Sequence, residues 1–184
     1  MDDIQQLKYL FKLKEVDRRC RVLERHESTA EHIYSSQILT QYFLPKISQE
    51  LDELKIMKLT LYHDLVEIEA GDTFVLDEEG RKTKKEREKQ AMAHIKATVP
   101  KELAAEIETY WQEYEVNESM EAKFCHAVDA IDPAIQCLYH KEHWQQEGFT
   151  EEWLEARKAR FVEFPVLLAF FEEIVSQLKE KGHV

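Results

Sequence analysis

The chain contains few residues that form tight turns: four glycines and four prolines are spread over 184 residues. An all-β fold needs many more turns than these residues can supply, whereas long helices with short connections need few. Apolar residues recur at helical spacing along most of the chain, and residues 72–76 are the only short candidate for extended structure. The sequence therefore predicts an all-α protein, and its length suits a single domain over residues 1–184.

The stretch 59–72, LTLYHDLVEIEAGD, contains the most unusual combination of side chains. We expect it to lie on a central helix over residues 49–70. His63 and Asp64 are adjacent, and Glu67 follows them by four and three residues, so a helix brings it next to both. The sequence thus groups one imidazole and two carboxylates on one segment.

Asp64 stands at a position where the helix pattern asks for an aliphatic side chain. Three apolar residues precede it at helical spacing: Leu54, Met57 and Leu61. A lone carboxylate buried there costs several kcal/mol of desolvation free energy, so it needs a cation, a protonated partner or a hydrogen-bond network. A divalent metal shared with His63 meets this need, and so does an arginine or a set of backbone amides.

Two other predicted helices carry side chains that suit a metal. Ser28 and Glu31 form a capping-box pattern, which predicts a helix start and puts His32 in the first turn. Asp129 lies on a helix predicted over residues 118–131, at a position where packing is expected. Each residue alone has an ordinary structural explanation. Together with the adjacent histidine and aspartate they form a set that suits zinc, manganese, cobalt, iron or nickel.

The charge pattern limits the class of partner. The formal net charge of -12 repels a nucleic-acid polymer, whereas a metal and a few basic residues can still attract a small phosphorylated substrate. Arg18 and Arg19 begin a basic cluster that is either a solvated surface or a phosphate-binding edge. The charged segment 77–89 predicts a loop passing into a solvated helix or, alternatively, a lid that brings a lysine to a phosphate. The lysines of such a lid are Lys82, Lys84 and Lys85.

Other features bear on location and exposure. The N-terminus has no basic region ahead of an apolar segment, and the longest apolar run, 164–171, is too short to span a membrane. The three cysteines form no CxxC motif, so we expect reduced, mostly buried thiols. His140 and His143 lie in polar sequence and are expected at the surface. These features predict a cytoplasmic protein that has no membrane contact.

Three blocks of sequence, TAEHIYSSQIL, LYHDLVEIEAGD and EAKFCHAVDA, carry the order H, HD, D. They resemble the HD-domain metal-dependent phosphohydrolases, and in particular the short branch that contains the bacterial 5′-deoxynucleotidases. The resemblance covers roughly residues 10–139. It implies one all-α HD-domain bundle with the metal site between central helices, a core of about 10–140, and C-terminal helices over 150–181 that pack on it. It also implies a cytoplasmic homodimer.

The resemblance also implies roles for single residues. One divalent ion (manganese, cobalt, zinc, iron, nickel or magnesium) would be held by His32, His63, Asp64 and Asp129. Glu67 and Asp72 match two further acids of the family, near the nucleophilic water and the leaving oxygen. Arg18 matches the arginine that contacts the phosphate. The deoxynucleotidases carry a tryptophan after that arginine, near the sugar, and here the position is Arg19.

The leading functional hypothesis is a metal-dependent phosphomonoesterase that acts on (deoxy)nucleoside 5′-monophosphates or a similar small phosphorylated metabolite. A phosphodiesterase or a guanosine-tetraphosphate hydrolase is the alternative within the same resemblance, although no GYP motif follows the HD pair. A non-catalytic metal-binding module is a further alternative. The extra acids Glu67 and Asp72 disfavour it, because a purely structural metal site does not need them.

Overall fold

Helices form most of this protein. The computed structural model describes residues 2–184, with residue 146 described by its backbone alone. The described chain folds into ten α-helices and one hairpin. The helices are α1 Asp3–Leu10, α2 Thr29–Phe43, α3 Glu53–Tyr62, α4 Glu67–Ala70, α5 Glu78–Thr98, α6 Lys101–Val116, α7 Met120–Gln136, α8 Lys141–Gln146, α9 Glu151–Arg157 and α10 Pro165–Glu180. The predicted all-α class is therefore confirmed, with the hairpin as a small addition.

The hairpin is an element that the sequence analysis missed. Its strands, β1 Asp17–Val22 and β2 Arg25–Ser28, pair in antiparallel fashion, and Leu23 adopts a positive φ of 54° in the turn between them. The strands lack the alternation of apolar and polar residues that marks a half-buried strand, because Cys20 is the one buried side chain of β1. The hairpin puts Arg18 and Arg19 on an ordered strand.

The hairpin leads directly into α2 through the predicted capping box. The Ser28 side chain accepts a hydrogen bond from the Glu31 backbone N–H at 3.3 Å, and the Glu31 carboxylate accepts one from the Ser28 backbone N–H at 2.9 Å. Two N–H groups at the helix start are satisfied in this way. The predicted start of this helix is confirmed, and His32 lies in its first turn.

The predicted central helix over residues 49–70 is wrong, because the chain turns after Tyr62. Short hydrogen-bonded turns follow, in which Leu65 N–H donates to Tyr62 O at 3.2 Å and Glu67 N–H donates to Asp64 O at 3.0 Å. Helix α4 then begins at Glu67 and ends at Gly71, whose positive φ of 71° suits glycine. The turn separates His63 and Asp64 from the regular face of α3.

The apolar stripe used to interpret Asp64 is also on the wrong side of α3. Leu54, Met57 and Leu61 are 62%, 39% and 46% exposed, whereas Ile56 and Leu59 point into the core. The spacing of the stripe is helical, but it marks a surface. The argument that Asp64 replaces a core aliphatic residue therefore fails, although its side chain is only 17% exposed.

Two apolar clusters form the core. One joins α3 and α7 to the C-terminal helices, through side chains such as Phe124, Val128 and Phe171. The other joins α1, α5 and α6, with Ile95 and Ile107 fully buried. Helix α2 and the segment from α3 to the following turn contribute to both clusters. His32, His63 and Asp64, three of the four candidate metal ligands, therefore lie on the elements that connect the two parts of the core.

The remaining predictions about segments have mixed outcomes. Residues 72–76 form no strand, and α5 begins at Glu78 with Asp77 as its N-cap. Helices α9 and α10 lie within the predicted C-terminal helical region 150–181; Thr150 caps α9, and Pro165 occupies the first turn of α10. Within residues 2–184, none of the helices combines the length and apolarity needed to cross a membrane.

Candidate metal centre and active site

The four predicted metal ligands come together from three parts of the fold. His32 extends from α2, His63 and Asp64 from the turn after α3, and Asp129 from α7. His32 Nε2 lies 3.2 Å from Asp129 Oδ1 and 3.6 Å from Asp64 Oδ2. His63 Nε2 lies 3.2 Å from Asp64 Oδ2 and 3.9 Å from Asp129 Oδ1. Two imidazole nitrogens and two carboxylate oxygens thus surround one small space.

Hydrogen bonds orient both imidazoles toward that space. His63 Nδ1 lies 2.9 Å from the carbonyl oxygen of Thr60, which can only accept, so Nδ1 carries the proton. His32 Nδ1 lies 2.6 Å from Asp132 Oδ2, an arrangement that favours the same tautomer. Both Nε2 atoms are buried, and among the described residues neither has a hydrogen-bond partner. Unpartnered nitrogen lone pairs beside carboxylates fit a divalent cation.

The electrostatics of the site favour positive charge at the same point. Burial lowers the pKa of His32, but the neighbouring carboxylates of Asp129 and Asp132 outweigh burial and raise this pKa to about 10. Burial raises the pKa of Asp64, but His63 and His32 outweigh burial and lower it below its ordinary value. The carboxylates therefore retain their negative charge. This charge favours a cation beside them, which is either a proton on an imidazole or a metal ion.

Glu67 lies beside this cluster and is almost fully buried. Its Oε2 accepts a hydrogen bond from the Thr29 hydroxyl at 2.7 Å, which holds the carboxylate in one orientation. Burial raises the pKa of Glu67 well above its ordinary value, and the nearby carboxylates of Asp64 and Asp72 raise it further. Such a group is a stronger base than an ordinary carboxylate.

Arg18 and Asp72 complete the wall of the site. Arg18 reaches from β1, and its Nη1 lies 3.3 Å from Asp64 Oδ2 and 3.8 Å from Asp72 Oδ1. Burial raises the pKa of Asp72, Arg18 opposes this shift, and Asp64 adds to it. The structure thus brings both predicted acids, Glu67 and Asp72, and the predicted arginine next to the four candidate metal ligands.

Two acidic residues of the site were missed by sequence reasoning. Asp132 follows Asp129 by three residues, and this spacing places both on one helix face. Glu27 is 1% exposed and its Oε2 lies 3.5 Å from Arg18 Nε. Glu27 immediately precedes the N-cap residue, and no spacing rule connects it to the other acids.

A cavity of about 170 Å³ opens next to Asp64, Glu67, Asp72 and Asp129. Part of its wall is aromatic and is formed by Phe74, Trp144, Phe149 and Trp153. Six basic side chains also line it: Arg18, Arg19, Arg81, Lys84, Arg157 and Arg160. An anionic, partly apolar molecule therefore fits this cavity better than a neutral polar one.

The structure also places two groups of side chains that the sequence left open, the lysines of α5 and His143. Lys84 lines the cavity and pairs with Glu88 at 3.3 Å, whereas Lys82 and Lys85 lie outside its lining. The prediction that His143 lies at the surface is wrong, because it is buried and lines the cavity. It packs against the ring of Phe149, with centroids 5.5 Å apart, and such packing is not visible in a polar segment of sequence.

Arg19 lines the same cavity as Arg18. Its guanidinium carbon lies 5.9 Å from the centroid of Phe74, and its Nη1 lies 4.0 Å from Glu147 Oε1. The side chain is 59% exposed, so it retains conformational freedom. Because it lines the cavity and is exposed to solvent, Arg19 lies at the cavity rim.

Comparisons with known proteins agree with this site. The family model described as HD domain matches residues 10–166. The 5′-deoxynucleotidase HDDC2 of Danio rerio is 32% identical over 165 residues, which cover 88% of this chain and 81% of that protein. The Homo sapiens protein of the same name is 27% identical over 161 residues, covering 86% and 78%.

A solved structure shows the same fold. The crystal structure of a predicted metal-dependent phosphohydrolase from Magnetospirillum magnetotacticum MS-1 superposes with a TM-score of 0.88 and 28% identity, covering 98% of this chain and 94% of that one. These findings confirm the resemblance carried by the three sequence blocks. The chain belongs to the HD domain family and is a phosphohydrolase.

Proposed function

We propose that the protein is a divalent-metal-dependent phosphomonoesterase that releases phosphate from (deoxy)nucleoside 5′-monophosphates or a similar small phosphorylated metabolite. One observation carries this proposal. Two buried imidazole Nε2 atoms without hydrogen-bond partners face Asp64 and Asp129 at the edge of a cavity that also holds Arg18. The names of the relatives, 5′-deoxynucleotidases, support the nucleotide as substrate.

His32, His63, Asp64 and Asp129 would hold one metal ion, and the mixed nitrogen and oxygen set suits manganese, cobalt, zinc, iron, nickel or magnesium. When bound, such a cation supplies Lewis-acid stabilisation of developing negative charge and makes a water nucleophilic near neutral pH. Asp132 would act as a positioning residue, because its hydrogen bond sets the tautomer and orientation of His32.

Glu67 would orient the attacking water and accept its proton. Its burial, its raised pKa and its hydrogen bond from Thr29 all support a base that is held in place. Asp72 would donate a proton to the leaving oxygen, a role that its place in the cavity wall beside Arg18 supports. Arg18 would bind the phosphate, and Arg19 would contact the sugar or a further group at the rim.

The aromatic wall supports a nucleoside as the leaving group. Phe149 and Trp153 form an edge-to-face pair with centroids 4.8 Å apart, and Phe74 packs edge-on against Phe149 at 5.9 Å. Flat apolar faces of this kind stack on nucleobases regardless of their identity. A nucleotide would thus place its phosphate toward Arg18 and its base toward these rings.

The experiment that tests the proposal is a phosphate-release assay of the purified protein with each metal against a panel of nucleotides. Phosphate release that requires an added divalent ion and is lost in Asp64→Ala and Asp129→Ala supports it. Lys82→Gln is the matched control, because Lys82 is an exposed cation outside the cavity. Absence of monoesterase activity with every metal, or cleavage of phosphodiesters instead, would contradict the proposal.

We also propose a cytoplasmic homodimer. The three cysteines are free and buried, which suits a reducing compartment. Exposed apolar side chains recur along the outer faces of α2 and α3: Tyr34, Ile38, Tyr42, Leu54, Met57 and Leu61. The Gln37 side chain joins the two helices by donating to the carbonyl oxygen of Met57 at 2.7 Å. A continuous apolar face of this kind is typical of a protein interface.

Sedimentation analysis tests the dimer. Ile38→Glu should shift the protein to the monomer, because a carboxylate in the interface is desolvated without a partner. Val162→Glu is the matched control, since Val162 is 67% exposed on another part of the molecule. A wild-type protein that sediments as a monomer at all concentrations would exclude this interface.

A further inference from the structure

The basic residues of the cavity do not all neutralise acids of the metal centre. Arg18 contacts Asp64, and Arg160 Nη1 lies 3.9 Å from Asp129 Oδ2, so both belong to the acidic end. Arg81 and Arg157 differ from them. Within the described chain, no carboxylate oxygen lies within the 4.0 Å of an ion pair from either guanidinium.

Arg157 is the less exposed of these two arginines. Its guanidinium stacks on Trp153, with the central carbon 4.4 Å from the ring centroid. Burial and the positive charge of Arg160 lower its pKa to about 10. A partly buried arginine beside other arginines is unfavourable unless an anion joins it, because like charges repel and desolvation is not offset. Among the described residues, the lack of an ion-pair partner stands out because the chain carries 37 acidic side chains against 25 lysines and arginines.

Arg81 lies on α5 and has a single weak contact, from its Nη1 to the carbonyl oxygen of Val75 at 3.4 Å. A second cavity adjoins the first and shares Val75, Arg81, Trp153 and Arg157 with it. None of the metal-centre acids lines this second cavity, whose remaining lining residues are Leu76 and Glu78. The two arginines thus line both cavities, and the second cavity extends the binding space beyond the acids of the candidate metal site.

We propose that Arg81 and Arg157 bind a second phosphate on the substrate. The substrate class is then a phosphomonoester whose alcohol part carries a further phosphate, as in a nucleoside 3′,5′-bisphosphate. This inference rests on the proposed function, since it requires that the first phosphate is bound next to Arg18. Guanidinium groups suit the task because they donate two parallel hydrogen bonds to phosphate and remain charged.

The test compares kcat/KM for a nucleoside 5′-monophosphate and for the 3′,5′-bisphosphate of the same nucleoside. The wild type should prefer the bisphosphate by at least about tenfold, which one charge-assisted bidentate contact supplies. Arg81→Gln and Arg157→Gln should lower kcat/KM for the bisphosphate at least about tenfold more than they lower it for the monophosphate, so that most of the preference is lost. Arg157→Lys should retain part of the preference, because it keeps the charge and loses the planar fork.

Lys82→Gln is the matched control, since it removes the same charge from the neighbouring position of α5 outside both cavities. Equal loss for both substrates in Arg157→Gln would overturn the proposal, because the arginine would then act on the transferred phosphate. A wild type without preference for the bisphosphate would overturn it as well.

A binding measurement separates this inference from the proposed function. The nucleoside 3′-monophosphate keeps the second phosphate and lacks the one to be released, so its dissociation constant is measurable by calorimetry without turnover. It should bind at least about tenfold more weakly to Arg157→Gln than to Lys82→Gln. If the wild type releases phosphate from neither nucleotide, the proposed function fails, and this comparison still decides the inference. Equal binding to both variants would refute the second-phosphate site.

Discussion

The orientation and tautomer of His32 depend on Asp132, a residue that does not line the cavity. Asp132 is 3% exposed, and its Oδ2 lies 2.6 Å from His32 Nδ1. A carboxylate in this position holds the proton on Nδ1 and leaves Nε2 available for a cation. The same hydrogen bond prevents the ring from rotating, so it contributes both charge and geometry.

Asp132→Asn should weaken metal binding by about 10- to 100-fold, because an amide can present its N–H to Nδ1 and thereby favour the wrong tautomer. Metal titration followed by competition with a chelator measures this change. Glu121→Gln is the control, since Glu121 lies on the same helix and pairs with Lys55 instead. Unchanged affinity in Asp132→Asn would show that Asp132 has only a packing role.

Glu67→Gln should keep the metal and lose most of the turnover. The amide preserves the shape of the side chain but cannot accept the proton of water, and general-base catalysis contributes about 10²- to 10⁴-fold in rate. Metal content by mass spectrometry and kcat on the best substrate are measured on the same preparation. Turnover equal to that of the wild type would remove Glu67 from the mechanism.

Glu27 predicts a pH dependence of stability. Burial, with the carboxylate of Asp132 adding to it, raises the pKa of Glu27 from 4.5 to about 7. The folded state therefore binds a proton that the unfolded state releases, so the stability from Glu27 is complete below pH 4.5 and is lost as pH rises through about 7. Glu27→Gln cannot lose this contribution, so its Tm relative to wild type should rise between pH 5 and pH 8. A difference in Tm that is constant over this range would contradict the shift.

Among the elements, local signals with a clear physical cause were predictable from sequence. The capping box at Ser28 and Glu31, the N-cap at Thr150 and the first-turn proline at 165 each satisfy a helix end by short-range bonds or a preset φ. The break after Tyr62 was not predictable, because its residues suit a helix and tertiary contacts decide the turn. The hairpin was missed because its side chains are mostly exposed and charged.

The residues of the site also differ in how far the sequence predicts them. His63 and Asp64 are adjacent in sequence, so their pairing needed no knowledge of the fold. The convergence of His32 and Asp129 was predicted through the family resemblance, and the structure places them together. Glu27 and Arg157 reach the site only through the hairpin and the C-terminal helices, and no short-range pattern connects them to it.

The hairpin carries a prediction about specificity through Arg19. At the rim of the cavity, an arginine can donate hydrogen bonds to an added hydroxyl group, whereas a tryptophan excludes one by its shape. The wild type should therefore discriminate weakly between ribo- and deoxyribonucleoside 5′-monophosphates, and Arg19→Trp should increase the preference for deoxyribose. The measurement is kcat/KM for the paired nucleotides in both proteins. Strong deoxyribose preference in the wild type, unchanged by the substitution, would show that Arg19 does not read the sugar.

At the scale of the whole molecule, three of the four candidate metal ligands lie on segments that connect the two apolar clusters. Helix α2 contributes Ile33 to one cluster and Phe43 to the other, and it carries His32 between them. Helix α3 and the turn after it connect the clusters in the same way, because Leu59 packs in one cluster and Val66 in the other. The turn carries His63 and Asp64. A cation that draws these segments together therefore supports contacts on both sides of the core, and its removal leaves several carboxylates close together.

Metal removal should thus lower the stability of the entire fold. A ligand at 100 times its Kd stabilises the folded state by about 2.7 kcal/mol. For a protein of this length, about 1 kcal/mol corresponds to roughly 2–4 °C in Tm, so a chelator should lower Tm by about 5–10 °C. Differential scanning calorimetry with and without chelator measures the shift in the wild type, in Asp64→Ala and in the control Lys82→Gln. The shift should persist in the control and vanish in Asp64→Ala, because the variant has no metal to lose. A chelator shift of the same size in Asp64→Ala would mean that the stabilising metal binds elsewhere in the molecule.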